Sequence, residues 1–406
     1  MILRSISKGY TLDTHRIVSP DETLVWAKRA SAGAGITRVA DITGLDRVGI
    51  PVFTSIRPAA ASGAVTVYTG KGYTCQEAEV SAIMEGIERF SAEPKDDQLV
   101  TGSYVDLKKG RNVLDPKGLI LPAMRAYDYK EQLEWVCGYS ITSDIEILVP
   151  AEAAFHPYRR ANQLFRTNTN GLAVGNVMEE AVVHGLMEAI ERDAWSLFEA
   201  GKIKGTELDL NLCNLEGFPL AKDLVKRMDC ANLKIYAKDI TSDIGIATIA
   251  VAIDDEQTKD PALLSLGVGT HLLPELAAVR ALTEAVQSRL TTIHGTREDT
   301  FKAEFARRIG YERMKRLNRK WFMPSGEATE LCKISSFRSE DFLNDINYTV
   351  ERLKKSGLNE VIVVELTREK VGVPAVRVIV PGLEVYALDK DRAGERLKWV
   401  KPAMDF

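Results

Sequence analysis

The sequence predicts an α+β fold, and three observations carry that prediction. Short stretches of alternating apolar and polar residues read as strands. Longer stretches dominated by Ala, Glu, Met and Leu read as helices. The two kinds are interspersed, without the regular βαβ rhythm of a parallel α/β protein.

In chain order, the first helical segment is GKGYTCQEAEVSAIMEGIERF, residues 70–90. Residues 134–142 and 146–149 follow as a hairpin, broken at Thr142, Ser143 and Asp144. The second helical segment is NGLAVGNVMEEAVVHGLMEAIERDAW, residues 170–195. Residues 233–240 and 244–253 read as two more strands. The third helical segment is GVGTHLLPELAAVRALTEAVQSRL, residues 267–290, with no proline after Pro274. Residues 341–355 then read as a helix, and 361–366 and 375–380 as strands. Residues 110–121 and the stretch after His294 are the candidate breaks, dividing one unit of 1–406 into 1–110, 111–294 and 295–406.

The three helical segments repeat one pattern. Aligned on Glu85, Glu188 and Glu284, they carry Glu88, Glu191 and Gln287 three residues later. Seven residues earlier stand Ala78, Ala181 and Ala277, and nine earlier Gln76, Glu179 and Glu275. Four residues earlier come the polar Ser81, His184 and Arg280. Two residues later come the apolar Ile87, Ile190 and Val286. Each segment begins with a glycine-containing turn and reads as a loop leading into a helix. Positions three, four and seven apart share a helix face, so each helix presents a stripe with carboxylates on neighbouring turns. Solvated helix faces carry such pairs often. Three aligned copies with small Ala and Gly neighbours point instead to helices that approach closely and converge their carboxylates. Converging carboxylates need cations, and oxygen ligands without Cys or His favour Mg²⁺ shared with substrate phosphates.

Composition removes several function classes. With 53 Lys plus Arg against 57 Asp plus Glu, the net charge of −4 offers no global basic field for nucleic acid. The strongest apolar run, residues 244–253, is too short to span a bilayer, and the N-terminus lacks the apolar core of a signal peptide. A cytoplasmic protein with no membrane partner is expected. Five cysteines without a CxxC pair argue against a disulfide framework or structural zinc. The five histidines include neither HxxxH nor HExxH. Phosphate-binding loops are missing too, since no GxxxxGK[ST] occurs and Gly267-Val268-Gly269 lacks a third glycine at dinucleotide spacing. A nucleotide here would be held by carboxylate–Mg²⁺ bridges with help from Lys and Arg.

SAIMEGIER (Ser81, Glu85, Glu88, Arg89), residues 170–193 and RALTEAVQSR (residues 280–289) together resemble the YcaO family. The resemblance extends to GITRVADITGLDRVGIPVFTSIRP and VPGLEVYALDKDRAGER, and so to nearly the whole chain. It is nearest to the stand-alone members from methanogenic archaea. It implies a YcaO-like α+β fold with an ATP/Mg²⁺ cradle lined by carboxylate-bearing helices. The implied activity is ATP-dependent phosphorylation of a peptide amide oxygen, followed by attack of a nucleophile. By position, Glu85, Glu88, Glu188 and Glu191 would bridge Mg²⁺ to phosphate, with Glu180 and Glu284 completing the cation shell or binding nucleotide. Lys8, Ser81, Asn176, Arg192 and Arg280 would contact ATP. Glu188, Glu191 and Arg192 are the catalytic candidates.

Azoline-forming members often end in Pro-x-Pro, whereas this chain ends KPAMDF. That departure favours sulfide as nucleophile and a thioamide product, on a glycine of the methyl-coenzyme M reductase α subunit by the branch resembled. An azoline-forming cyclodehydratase and a non-catalytic nucleotide-binding adaptor are the alternatives. No peptide-clamping domain is evident, so a separate TfuA-type partner is expected for peptide or sulfur delivery, and the quaternary state stays open, a homodimer included. His184 is expected to be a buried, hydrogen-bonded histidine and Cys75 a small buried residue. Residues 297–320, with nine Lys or Arg against four Asp or Glu, read as a solvated helix pair or a surface for the polypeptide substrate.

Overall fold

A computed structural model describes residues 1–95, 99–160, 163–296, 301–324, 326 and 328–399. Three sheets organise it. The first is antiparallel, in the order β1 (Arg38–Asp41), β2 (Val52–Ile56), β3 (Val67–Lys71). The second holds β4 (Val100–Ser103), β5 (Gln132–Ser140), β6 (Ile145–Pro150) and β7 (Leu172–Val174). It is completed by β13 (Ile362–Glu365) and β14 (Ala375–Ile379), in the order β4-β5-β13-β14-β7 with β6 on β5. The third holds β8 (Thr206–Leu208), β9 (Lys234–Asp239), β10 (Thr248–Asp254), β11 (Ser265–Thr270) and β12 (Ala328–Thr329). Its order is β11-β10-β9-β8-β12, antiparallel except for the β8–β12 pair.

The helices are α1 (Pro20–Gly33), α2 (Cys75–Ser91), α3 (Tyr104–Leu107), α4 (Ala151–Ala154), α5 (Met178–Glu199) and α6 (Pro219–Cys230). They continue with α7 (Pro274–His294), α8 (Phe301–Ile309), α9 (Tyr311–Leu317), α10 (Arg319–Phe322), α11 (Phe342–Lys355) and α12 (Glu395–Trp399). The predicted hairpin is β5–β6, and residues 233–240 and 244–253 pair as β9 and β10. β10 starts only at Thr248, because Gly245 turns back on the Ser242 carbonyl. The helix predicted from residue 341 is α11, with the Asp341 carboxylate accepting from the N–H groups of Leu343 and Asn344. Among the described residues no helix is long and apolar enough to cross a membrane.

Each repeat proves to be strand, turn, helix rather than loop, helix: β3–α2, β7–α5 and β11–α7, one per sheet. The glycines read as turn formers sit in strands in two of the three. A Cβ at Gly70 would lie 2.4 Å from the Ala78 carbonyl oxygen and 2.0 Å from the Ala82 nitrogen. At Gly269 the same contacts recur, 2.3 Å from the Ala277 oxygen and 2.7 Å from the Ala281 nitrogen. The repeated glycine and alanines are thus one device, a helix backbone laid directly on its preceding strand. Gly269→Ala is expected to cost about 1–3 kcal/mol by overpacking, read as a lower thermal midpoint. Gly110→Ala, with nothing near its Cβ position, is the neutral control.

The three units close on one another. α2 packs against β7, α5 against β11 and α7 against β3. Two of these joints use equivalent residues. Glu191 accepts a hydrogen bond from Thr270 N of β11 at 3.1 Å, and Gln287 donates to the Thr69 hydroxyl of β3 at 3.0 Å. Apolar burial holds each helix from behind. α5 packs Val182, Leu186 and Ile190 with Val363, Val376 and Phe342, and α7 packs Leu282 and Val286 with Ile249 and Val251.

The expected breaks do not follow sheet boundaries. The second sheet draws strands from 1–110, 111–294 and 295–406 alike. Residues 110–121 are stitched to β6 through Leu114 N to the Leu148 carbonyl and Leu148 N to the Asn112 carbonyl. The described part of 297–320 forms α8, α9 and the first half of α10, whereas residues 297–300 and the KPAMDF end lie outside the described residues.

Candidate active site

The cycle of helices leaves a central cavity of about 610 Å³, the size of a nucleotide-binding cleft. Its wall includes Ser81, Glu85, Glu88 and Arg89 of α2 and Glu180, His184, Glu188, Glu191 and Arg192 of α5. Arg280, Glu284 and Gln287 of α7 complete the circle, with Asn176 in the turn before α5. The repeated stripe is therefore the cavity face of each helix, and the structure brings together every sequence candidate except Lys8.

Lys8 is not among the described residues of the wall. Its ammonium sits 2.7 Å from Asp345 Oδ2 and donates to the Ser339 carbonyl at 2.7 Å, with both charged side chains almost wholly buried. The position assigned to ATP contact by resemblance is spent on anchoring the N-terminal segment to α11. Cys75 also departs from expectation. It is exposed at the first position of α2 rather than buried.

Glu180 has a part of its own. Its carboxylate accepts from Asn176 N at 3.2 Å, from Asn176 Nδ2 and from Ile17 N at 3.1 Å, with Arg16 Nε at 3.5 Å. Glu77 stands at the equivalent place in the first repeat and likewise accepts from Tyr73 N at 2.8 Å and Thr74 N at 3.1 Å. With Thr74 it forms a capping box that starts α2. Both carboxylates close the turn into their helix while their helices face the cavity. Ser81 accepts from the Lys71 backbone N–H at 3.4 Å.

The charges on the cavity wall are unevenly paired. Arg192 lies 3.9 Å from Glu188 and 3.8 Å from Glu191, over the Trp195 ring. Its Nε is buried without a hydrogen-bond partner, as is Nε of Arg280 and Nη1 of Arg89. Arg89 reaches Glu85 at 3.1 Å and Glu88 at 3.6 Å. Glu284 pairs with Lys71 of β3 rather than with Arg280 one turn away. Burial pushes the Glu88 carboxyl up to about 8, with Glu188 and Glu85 adding to it against the pull of Arg89. Burial and Glu284 push Glu191 up to about 7, although Arg192, Arg280 and Lys71 oppose them. Burial also raises Glu188. Glu284 goes the other way, since Lys71, Arg192 and Arg280 outweigh its burial. His184 touches the Arg16 guanidinium, and burial followed by the cations of Arg16 and Arg280 holds it neutral, well below an ordinary histidine.

Raised carboxylates beside arginines with free donors describe a site short of both cations and anions. Mg²⁺ ions and phosphate oxygens are a pair of groups that would meet both needs, so the residues fit. Among the described residues no group of three or more His, Cys, Asp or Glu side chains gathers tightly enough to hold a metal by itself. The carboxylates come from different helices, and phosphate oxygens would have to join them around each ion.

Sequence reading gave no role to Arg89, Glu77, Lys71 and Arg16, all on the cavity wall. The repeat could have supplied the first two. Arg89 matches Arg192 four residues after the aligned glutamate, and Glu77 matches Glu180 eight residues before it. Lys71 and Arg16 carry no such signal, for their partners Glu284 and Glu180 lie far off in sequence.

Comparison with known proteins agrees with this geometry. The family described as YcaO cyclodehydratase, ATP- and Mg²⁺-binding, matches residues 69–384, a span that contains α2, α5 and α7. A protein of the ATP- and Mg²⁺-dependent class is what the fold and the cavity define. An uncharacterized protein of Methanothermobacter thermautotrophicus is 49% identical over 94% of this chain and 98% of its own length. Another, from Rhizobium leguminosarum bv. trifolii and named for the region 3′ of tfuA, is 31% identical over 94% of this chain and 92% of its own. The structure of YcaO from Methanopyrus kandleri bound with AMPPCP and Mg²⁺ superposes with a TM-score of 0.80 at 30% identity, over 96% of this chain and 98% of that one. A heterocyclase in complex with substrate and cofactor also reaches 0.80, over 95% of this chain and 54% of that one, and at 21% identity that likeness is one of fold. The chain belongs to the YcaO family, whose members activate amides with ATP.

Proposed function

We propose that this chain is one catalytic unit that phosphorylates a backbone amide oxygen of a peptide, and that sulfide then adds to the amide carbon as the C–O bond breaks, so that the oxygen leaves as phosphate and a thioamide remains. A glycine of the methyl-coenzyme M reductase α subunit is the proposed substrate, and a TfuA-type protein the proposed partner. The observation that carries the amide-activating reading is the cavity in which carboxylates from three helices and arginines with unpartnered donors face one another. The methanogen sources of two relatives support the thioamide branch, and the relative named for its place beside tfuA supports the partner.

Bound ATP with Mg²⁺ supplies the phosphoryl group and the positive charge that the transfer needs. Glu85, Glu88, Glu188 and Glu191 would hold the cations, with Glu284 beside them. Arg192 and Arg280 would take phosphate oxygens with their free donors, together with Ser81 and Asn176 at the rim. Glu180 fixes the turn that carries Asn176. An amide oxygen is a weak nucleophile, so the rigid cycle of helices matters most for positioning.

Intact mass of a candidate peptide after reaction with ATP, Mg²⁺ and sulfide tests the reading. Exchange of oxygen for sulfur raises the mass, whereas the loss of water expected of an azoline-forming enzyme lowers it and would overturn the thioamide assignment. Phosphate release that requires both peptide and sulfide excludes a non-catalytic adaptor.

A further inference from the structure

A second, smaller cavity of about 60 Å³ lies between β14, the stretch before β7 and the chain that follows β14. Arg377 and Arg392 line it, with Asn168, Asn170 and Phe165. Both arginines are 4% exposed. Arg377 donates through Nη2 to Asn168 Oδ1 at 3.2 Å, and its Nη1 is buried with no partner. Arg392 donates to the carbonyls of Ile120 at 2.8 Å and Leu119 at 2.7 Å and stacks on Phe165, and its Nη1 too is buried with no partner.

Two buried guanidinium groups close enough to repel are costly. Burial lowers Arg377 to about 10, and although Glu188 opposes this, Arg89 and Arg392 add to it. Burial lowers Arg392 to about 10 as well, with only Asp389 opposing. Those carboxylates act at a distance, and none of them caps either free Nη1. Asn170 Oδ1 is a third buried atom without a partner, and turning that amide over would present its N–H₂. The space admits a few water-sized groups.

We propose that Arg377 and Arg392 form a binding site for a compact inorganic anion beside the active-site cavity. The site is separate from the nucleotide site, and it does not rest on the thioamide reading. Arg377 connects the two, since it pairs in register with Leu172 of β7, which walls the larger cavity. Hydrosulfide on its way in and phosphate on its way out share the required chemistry, a single small centre of negative charge that accepts from fork-shaped donors.

The test uses the full chain saturated with AMPPCP and Mg²⁺, so that the larger cavity is filled. Inorganic phosphate and, separately, hydrosulfide are titrated by calorimetry at constant ionic strength. Saturable binding of either is expected, weakened roughly tenfold or more in Arg377→Gln and in Arg392→Gln while AMPPCP affinity holds. Phosphate alone assigns the site to the product, and hydrosulfide alone to the nucleophile. Should the arginine variants fold poorly, Asn168→Leu takes their place with the same expected loss. Absence of saturable binding of both anions, or binding that survives the substitutions, overturns the proposal.

Discussion

Glu191→Gln is expected to abolish most ATP turnover while leaving the protein as stable as before, or more so. Glu191 is 3% exposed and accepts from Thr270 N at 3.1 Å. A glutamine oxygen can keep that bond, and the third repeat already carries Gln287 at the same position. What disappears is the charge. Burial and Glu284 raise the Glu191 carboxyl to about 7, so the free protein holds this charge at a cost that the amide removes. The loaded site needs the charge as a cation ligand. Changes to residues that only hydrogen-bond a metal's ligands already cost about 10–100-fold, so loss of a ligand should lower phosphate release by at least about 100-fold. Steady-state phosphate release and thermal midpoints at pH 8 check both halves. Normal turnover in a folded Glu191→Gln protein would remove Glu191 from the metal set.

The outcome at Glu191 bears on why the repeat exists. The three strand–helix units sit in three different sheets, yet each helix leans on the next unit's strand. A closed cycle of that kind turns one stripe per helix toward a common centre. The same offsets then become equivalent places around it: Ser81, His184 and Arg280 at one level, Glu85, Glu188 and Glu284 at the next. Divergence within the levels gives the cavity its sides. The first two units carry Glu and Arg after the shared glutamate, whereas the third carries Gln287 and Ser288 and borrows Lys71 from β3.

That logic also explains what could be read in the sequence. Helix faces are written at short spacing, so the stripe, its carboxylates and the hairpin β5–β6 were legible. Strands with glycine at the helix contact were not, for Gly70 and Gly269 look like turn residues until a helix backbone is laid against them. Sheet membership was hidden as well, because β13 and β14 join β5 and β7 across long separations. The surroundings of Lys8 were hidden for a related reason. A lysine near the start of the chain carries no local mark of its partner, and Asp345 is supplied by α11.

Arg289→Met is expected to destabilise the fold by about 3–5 kcal/mol at neutral pH, the usual cost of breaking a buried ion pair from one side. Arg289, near the end of α7, is 2% exposed. Its Nε lies 2.7 Å from Asp46 Oδ2, and its Nη2 lies 2.9 Å from Asp255 Oδ2, which Arg47 also reaches at 2.9 Å. The arginine therefore ties α7 to the chain before β2 and to the end of β10, and so holds the helix that carries Arg280 and Glu284. Burial alone would raise the Asp255 carboxyl. The hydrogen bond from Arg47, the Thr258 N–H and the charge of Arg289 outweigh it and hold the group well below the ordinary range. A depressed folded pKa gives stability that is present above the unfolded value of about 3.9 and is lost as pH falls through the folded value. In Arg289→Met the carboxyl moves back up, so its share is lost at a higher pH. Thermal midpoints of the two proteins should therefore lie far apart at pH 7 and draw together below about pH 4. A gap that stays constant across that range would mean that the arginine acts through packing of its stem rather than through its charge.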